Sequence, residues 1–543
     1  MASRFARTGH APEPRLAHRF PQVAGVSEHP YASAFLVAFV LCVVCWGKNA
    51  FTTDPRIDSV YLINNQGAML NWFSIGRWAI SCIKSVIGNV EWVPYYSGAV
   101  FLLAFPASAV AWLWLLDTAA GRVLRGRWAF CAAYVLAHWW SYQFYFLLQM
   151  AEVAVTLMIL PVAAQLAWRA LERGIGAVRR FVTLVVAAAL LALTFGTYQS
   201  FAPLAIAAFS AALMLYADAL PRASEEGPSP AVPILRRSIF VIGVFLSALA
   251  VYALVTSFFP PSAYLDGQVA WGTLPPLDCL WNVLRYAWHV LCAHATGSSG
   301  LFAIGLAFSV LCRFALMAGE RTRPSQMLLP AVGHLMLCAS PFLLALYLGQ
   351  EPIPRSQIVM PVVAAILIVW SFDFLSSEGR AEGATDGHTP TALVLALSVL
   401  VVFVSARSLS GIQRDIYTAD VLYQQEIAFT GEIVHELERA YGNELDDTPV
   451  VFVGSYQPRL NAACSHAGDW AVPQLQFGGM TANTSAFIYA VWGVPLQGPT
   501  DEQIEMANEL APSLEVFPRE ESIVRAGDVI VVKVGPTAEE SSG

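Results

Sequence analysis

About eleven apolar runs, each near twenty residues long, follow one another between residues 33 and 408 and leave this chain few folds to choose from. They cover roughly 33–52, 96–116, 127–144, 148–168, 181–197, 199–217, 237–259, 299–318, 327–349, 355–375 and 390–408. A hydrocarbon core ~30 Å thick is crossed by ~20 apolar residues in a helix. Inside it, only helices and closed barrels satisfy their own backbone groups. Charged residues make up 13% of the 543, against ~25% in soluble domains, so lipid must solvate most of the chain. The expectation is an all-α polytopic membrane protein of about eleven spans.

Lys and Arg placement orients such a bundle, because positive loops stay cytoplasmic. With the N-terminus inside, eighteen basic residues fall in inside segments and six in outside loops, the remaining seven lying from Arg407 onward. An odd number of spans then puts the C-terminal region outside. Residues 409–543 hold twenty of the thirty-nine acids. They read as a small acidic α/β extracytoplasmic domain, with a helix over 417–441, strands at 449–456 and 528–534, an ambiguous apolar segment at 480–493 and a helix over 501–510. Three units follow: a cytoplasmic tail (1–30), a multi-span domain (31–410) and the outer domain (411–543). Residues 1–30 are polar and Arg-containing and the first run is long enough to span, so no cleavable signal is expected. Net charge −8 and this topology exclude a nucleic-acid partner. No Walker motif or GxGxxG is present, so nucleotide-driven chemistry has no support, and no cofactor or metal is called for. Nine cysteines lack metal-ligand spacing, and a Cys279–Cys292 bridge is left open.

Two outside loops, 53–94 and 260–298, are much longer than the rest, and long ordered loops usually carry function. Each contains an amphipathic stretch, 70–86 and 277–291, with the pattern of a helix lying in the membrane interface. The first loop also begins with a polar stretch, 54–77 (DPRIDSVYLINNQGAMLNWFSIGR), that places Asp54, Arg56, Asp58 and Arg77 beside the membrane. Charges beside a bilayer are costly unless solvated or paired, so they are functional candidates by default. Carboxylates there supply a base and arginines a phosphate clamp, which points to chemistry on a lipid-linked phosphate at the membrane surface.

Asp58 is the first choice for a base, with Asp54 its rival. Glu152, near the outer end of its span, is the third acid; it either contacts a sugar hydroxyl or pairs with Arg56 or Arg77. Arg77, Arg355, Lys84 and Arg285 are the outside cations available to a donor phosphate, the arginine fork suiting phosphate better than a lysine point charge. Residues 138–145 (HWWSYQFY), with Trp139 and Tyr142, form an interfacial aromatic belt or a stacking surface for sugar rings. Tyr198 and Gln199, with Arg56, are further sugar or acceptor contacts. Arg313, His334 and Asp373 lie toward the cytoplasmic side and pack or snorkel.

An acid early in the first outside loop, GRW at residues 76–78, TYQS at 197–200 and Arg355 opening a late span together resemble the bacterial Gtr-type-II (GtrII-like) glucosyltransferases, membrane enzymes of GT-C architecture. The likeness covers roughly residues 30–410. It implies a polyprenyl-phosphate-sugar donor carrying glucose, an O-antigen or other surface-glycan acceptor, inversion with one carboxylate base, and residence in the bacterial inner membrane. Carried over, Asp58 is the base, Arg77 and Arg355 are phosphate contacts and Glu152 is a sugar or acceptor contact. The family commonly has two adjacent acids in this loop, whereas Asp54 and Asp58 are separated by three residues, so both stay open as the base. The alternative from another class is a flippase of lipid-linked sugars. It predicts mid-membrane charges and a repeat, whereas the sequence shows few such charges and no repeat.

Overall fold

The computed structural model describes residues 29–56, 58–64, 69–172, 174–220, 231–260, 262, 267–292, 299–319, 324–378, 388–465, 475 and 480–537. Most of the tail 1–30, the linkers and parts of both long loops lie outside them. Pro30 at the first helical position pre-sets the backbone for α1 (Pro30–Ala50). The first long loop folds into α2 (Asp58–Asn64), α3 (Asn71–Ser74) and α4 (Trp78–Ile87) before α5 (Pro94–Ala120). Then come α6 (Arg127–Val135), α7 (Trp139–Phe144), α8 (Leu147–Arg169), α9 (Ala177–Thr197), α10 (Phe201–Ala219) and α11 (Ala231–Thr256). The second long loop carries α12 (Pro276–Leu291), and α13 (Gly300–Gly319), α14 (Pro324–Ala339), α15 (Leu343–Leu348) and α16 (Val359–Glu378) follow. Last of the bundle is α17 (His388–Tyr441).

Ten helices among the described residues are long and apolar enough to cross a membrane, so the protein is a mostly helical polytopic membrane protein. The run at 127–144 differs from expectation. It is two short helices, α6 and α7, broken at residues 136–138. The pair nevertheless matches α1 at both ends: Arg127 donates to the carbonyl of Pro30 at the start of α1, and Asn49 near its end donates to the carbonyl of Phe144. The broken pair therefore traverses the same depth as α1.

Burial separates interior staves from lipid-facing ones. The apolar window of α16 is 89% buried and that of α8 78%, against 17% for α11. Around these two staves, α5 lies against α1 and α8, α9 against α8 and α11, and α13 against α16. At one end, acids and arginines meet: Asp117 with Arg127 and Tyr31, Asp373 with Arg122, and Asp218 with Arg313 (2.7 Å). Arg313, His334 and Asp373 are thus paired, His334 through Ser309. The helix α12 shows an exposed stripe of Leu277, Leu280, Trp281, Leu284 and Trp288 with Tyr286 inward, as an interfacial helix requires. Cys279 and Cys292 are free thiols near opposite ends of it, roughly 20 Å apart at 1.5 Å per residue, so no bridge joins them.

The domain at the other end grows directly out of the last span, because α17 runs 54 residues without interruption. The predicted strands are β1 (Val450–Val453) and β3 (Val529–Lys533), which pair in parallel with Val450 opposite Ile530. A strand the sequence reading missed, β2 (Ile523–Ala526), pairs antiparallel on the far side of β3, giving the order β1-β3-β2. The ambiguous segment is helical, α18 (Met480–Trp492), and α19 (Asp501–Leu510) opens with a Thr500–Gln503 capping box. Both faces of the sheet are buried: Phe452 and Val532 face Ile433 and Leu437 of α17, while Val451 and Val531 face Ala507. That explains the continuous apolar runs in β1 and β3.

Candidate functional site

Charged side chains of the first loop are gathered around the start of α8. Asn49 closes α1 with its amide nitrogen on the Phe144 carbonyl (3.0 Å), while its oxygen accepts from Arg56 Nη1 (2.8 Å). Arg56 Nε donates to Asp54 Oδ2 (2.8 Å), and the guanidinium lies over the Tyr145 ring. Both members of this pair are buried, 3% and 4% exposed. One carboxylate oxygen of Asp54 is thereby fixed, and the other, Oδ1, is buried with no partner among the described residues. Burial pushes the Asp54 carboxyl above its ordinary value, and nearby Arg56 only partly opposes it. Asp58 opens α2, and its side chain lies outside the described residues.

Glu152, one turn into α8, finds Lys84 and neither Arg56 nor Arg77. Its Oε1 accepts from Lys84 Nζ (2.9 Å) and Asn89 Nδ2 (2.8 Å), and Lys84 also donates to the Leu148 carbonyl (2.5 Å). Both charges are fully buried, so the pair fastens α4 to α8. Glu152 Oε2 has no partner among the described residues.

Arg77 is brought to this level by a turn that only glycine tolerates. Gly76 has φ +72°, and a Cβ there would lie 2.6 Å from the Tyr252 hydroxyl. The Arg77 guanidinium lies over the Tyr198 ring, 4.3 Å from its centroid, with Nε buried and unpartnered among the described residues. Gln199 secures the same turn by donating to the Ile75 carbonyl (2.7 Å). Gly196 lets Trp78 approach α9: a Cβ would stand 2.5 Å from the indole. Thr156, which bonds back to the Glu152 carbonyl, reaches Thr197 at 3.2 Å, tying the Arg77–Tyr198 corner to the Glu152–Lys84 pair.

Arg355 lies over Phe146, next to the Tyr145 that carries Arg56. Trp139 is buried and its ring lies 5.9 Å from Tyr142; His138 beside them bonds Asp415 of α17 (2.6 Å). Arg285 is exposed on α12 and bonds Asn282 of its own helix, and no contact among the described residues links it to this cluster. Sequence reasoning missed Asn49, Asn89 and Gln143, whose amide is buried with both ends unpartnered among the described residues. A lone Asn ending an apolar run was the available signal for Asn49. Buried polar atoms without partners are rare. Here the Tyr198 hydroxyl, Arg77 Nε, Asp54 Oδ1, Glu152 Oε2 and the Gln143 amide occur on elements that all meet near α8.

The C-terminal domain reaches the same end of the bundle. Lys48 pairs with Asp420 (2.9 Å), Gln413 donates to the Cys45 carbonyl (2.6 Å), and α18 lies on α2, with Val60 among Tyr423, Tyr456 and Phe487. Fold and site together define a polytopic membrane protein with an acid–arginine centre at one end of its bundle, covered by a small α/β domain. The family model described as Glucosyl transferase GtrII matches residues 50–372, more than half of the chain, and the protein belongs to that family of membrane glycosyltransferases. Neither the curated proteins nor the solved structures compared with it give a match.

Proposed function

We propose that this glycosyltransferase moves a hexose, glucose by the family's description, from a polyprenyl-phosphate carrier to a hydroxyl of a surface glycan such as O-antigen, on the extracytoplasmic side of a bacterial inner membrane. The observation that carries the reading is the buried Asp54 carboxylate, oriented through one oxygen by Arg56 and open at the other. A base so prepared suits general catalysis, which contributes about 10²–10⁴-fold. The acceptor oxygen attacks the anomeric carbon as its proton passes to Asp54 Oδ1. The bond from that carbon to the phosphate oxygen breaks, and the phosphate leaves with the electron pair. Displacement from the opposite face inverts the anomeric centre.

Arg77 and Arg355, both mounted on aromatic rings, neutralise the departing phosphate, a preorganised role that is strong where water is excluded. Lys84 is committed to Glu152 and a carbonyl, so we assign it to fixing α4 and leave the phosphate to the arginines. Glu152 Oε2, Tyr198 and the Trp139–Tyr142 surface face the sugar or acceptor in this reading. The domain limits near residues 30 and 410, with the N-terminus cytoplasmic, are part of the proposal, amended by the continuity of α17.

Transfer by purified protein in lipid, with Asp54→Asn and Asp58→Asn compared side by side, tests the assignment. Loss of transfer by 10²-fold or more in Asp54→Asn with donor binding retained supports it. Loss confined to Asp58→Asn moves the base to Asp58.

A further inference from the structure

The first loop and the C-terminal domain line an open cavity of about 310 Å³. Thr53 and Pro55 line it from the loop, Trp92 from the turn before α5, Tyr423 from α17, and Ala490 with Val491 from α18. We propose that this cavity is the subsite for one sugar residue of the acceptor glycan, built from both domains; the inference rests on the transferase reading above.

Position is the first argument. Thr53 and Pro55 flank Asp54 in the chain, so the cavity adjoins the segment that carries the carboxylate. The walls are the second. Trp92 and Tyr423 bring two aromatic rings from different domains, and Pro55, Ala490 and Val491 supply apolar surface for the C–H face of a pyranose. Trp92 is 4% exposed, and its indole N–H has no partner among the described residues, which leaves a donor for a sugar hydroxyl. Its φ of +47° is an outlier for a bulky residue. Such conformations persist where the surroundings enforce them, and they cluster at ligand sites.

Size is the third argument, since the volume falls at the small end of the ~300–1,000 Å³ of small-molecule sites. A lipid chain fits the location less well. On the bundle side, the cavity is lined only by residues past the end of α1 and up to Pro94, the first residue of α5. Tyr423 stands roughly fifteen residues, or about 22 Å, along α17 from the end of its apolar stretch. The contacts Lys48–Asp420 and Gln413–Cys45 hold the two walls together.

The test uses the full-length protein in lipid and, as probe, oligosaccharide released by mild acid from the surface polysaccharide of the cells that make it. Binding is measured without donor, and binding of polyprenyl-phosphate-glucose separately. Ala490→Trp, which fills the cavity, and Tyr423→Ala, which removes one wall, are expected to weaken oligosaccharide binding at least tenfold more than donor binding. Donor binding within about threefold of wild type in both variants controls for folding. Oligosaccharide affinity unchanged in both Ala490→Trp and Tyr423→Ala overturns the subsite, as does a wild-type protein that transfers sugar to this oligosaccharide with the same acceptor KM as both. Wild type that binds oligosaccharide, with both variants defective, yet transfers nothing supports the subsite and counts against the transferase reading alone.

Discussion

At the residue scale, the site depends on polar groups that are buried and only half satisfied. Asp54 was legible in the sequence as an acid beside a span, as were Arg77, Glu152 and Tyr198. Their partners were not legible, because Lys84 and Glu152 lie 68 residues apart and meet only through the packing of α4 on α8. Asn49 stood out only as a lone amide ending an apolar run, and nothing local announced that it would hold Arg56. Removing one member of a buried pair leaves an uncompensated charge, which costs about 3–5 kcal/mol. Lys84→Met should therefore lower the unfolding midpoint sharply, and Lys84→Met with Glu152→Gln should recover part of it in the same thermal scan. A thermal midpoint in Lys84→Met equal to wild type would show that the pair is not buried as described. The Asp54 carboxyl titrates above its ordinary value because burial disfavours its charge. A base acts deprotonated, so transfer should fall on acidification with a midpoint above about 3.9, the unperturbed Asp value. Replacing Asp54 should abolish that limb, which the pH dependence of kcat/KM will read.

At the scale of elements, hydropathy located the spans well because length and apolarity are local properties. It misread two things that are not local. The run at 127–144 looks like one helix, but it breaks at residues 136–138, and α7 turns its aromatic cluster toward Asp415 and the Pro354–Ser356 turn. Apolarity persists through that break because both pieces are buried. Likewise the last span and the first helix of the outer domain read as two elements separated by a composition shift, whereas helical geometry continues through it. Close approach also decides function at this scale. Gly196→Ala puts a Cβ against Trp78 with no flexible end to yield, and overpacking costs about 1–3 kcal/mol. The variant should displace the Trp78–Arg77 corner, and we expect donor affinity to fall about tenfold with acceptor affinity little changed. Titration with polyprenyl-phosphate-glucose measures this, and unchanged donor affinity would remove Arg77 from the phosphate contacts.

Across the whole molecule, the two charged ends differ in kind. At the end holding Asp117, Asp218 and Asp373, each acid has an arginine partner, as structural clamps should. At the other end, Asp54 and Glu152 each keep one carboxylate oxygen without a partner among the described residues, and the α/β domain closes over that end. In the proposed orientation, argued from the Lys and Arg bias, that second end is extracytoplasmic. A cysteine introduced at the exposed Glu502 should therefore react with a membrane-impermeant maleimide added to intact spheroplasts; reaction only after lysis would invert the topology. The small domain was legible as two strands and helices, but its contact with the first loop was not, since Val60 and Phe487 are distant in sequence and meet only in the fold.

The most direct measurement is single-turnover transfer of labelled sugar from polyprenyl-phosphate-glucose to surface glycan by the purified protein in lipid, with Asp54→Asn beside it. The account predicts transfer by wild type, inverted at the anomeric carbon, and a loss of 10²-fold or more in the variant with donor still bound. Equal transfer by both would contradict Asp54 as the base. No transfer by wild type, with the donor carried across the bilayer instead, would contradict the enzyme altogether.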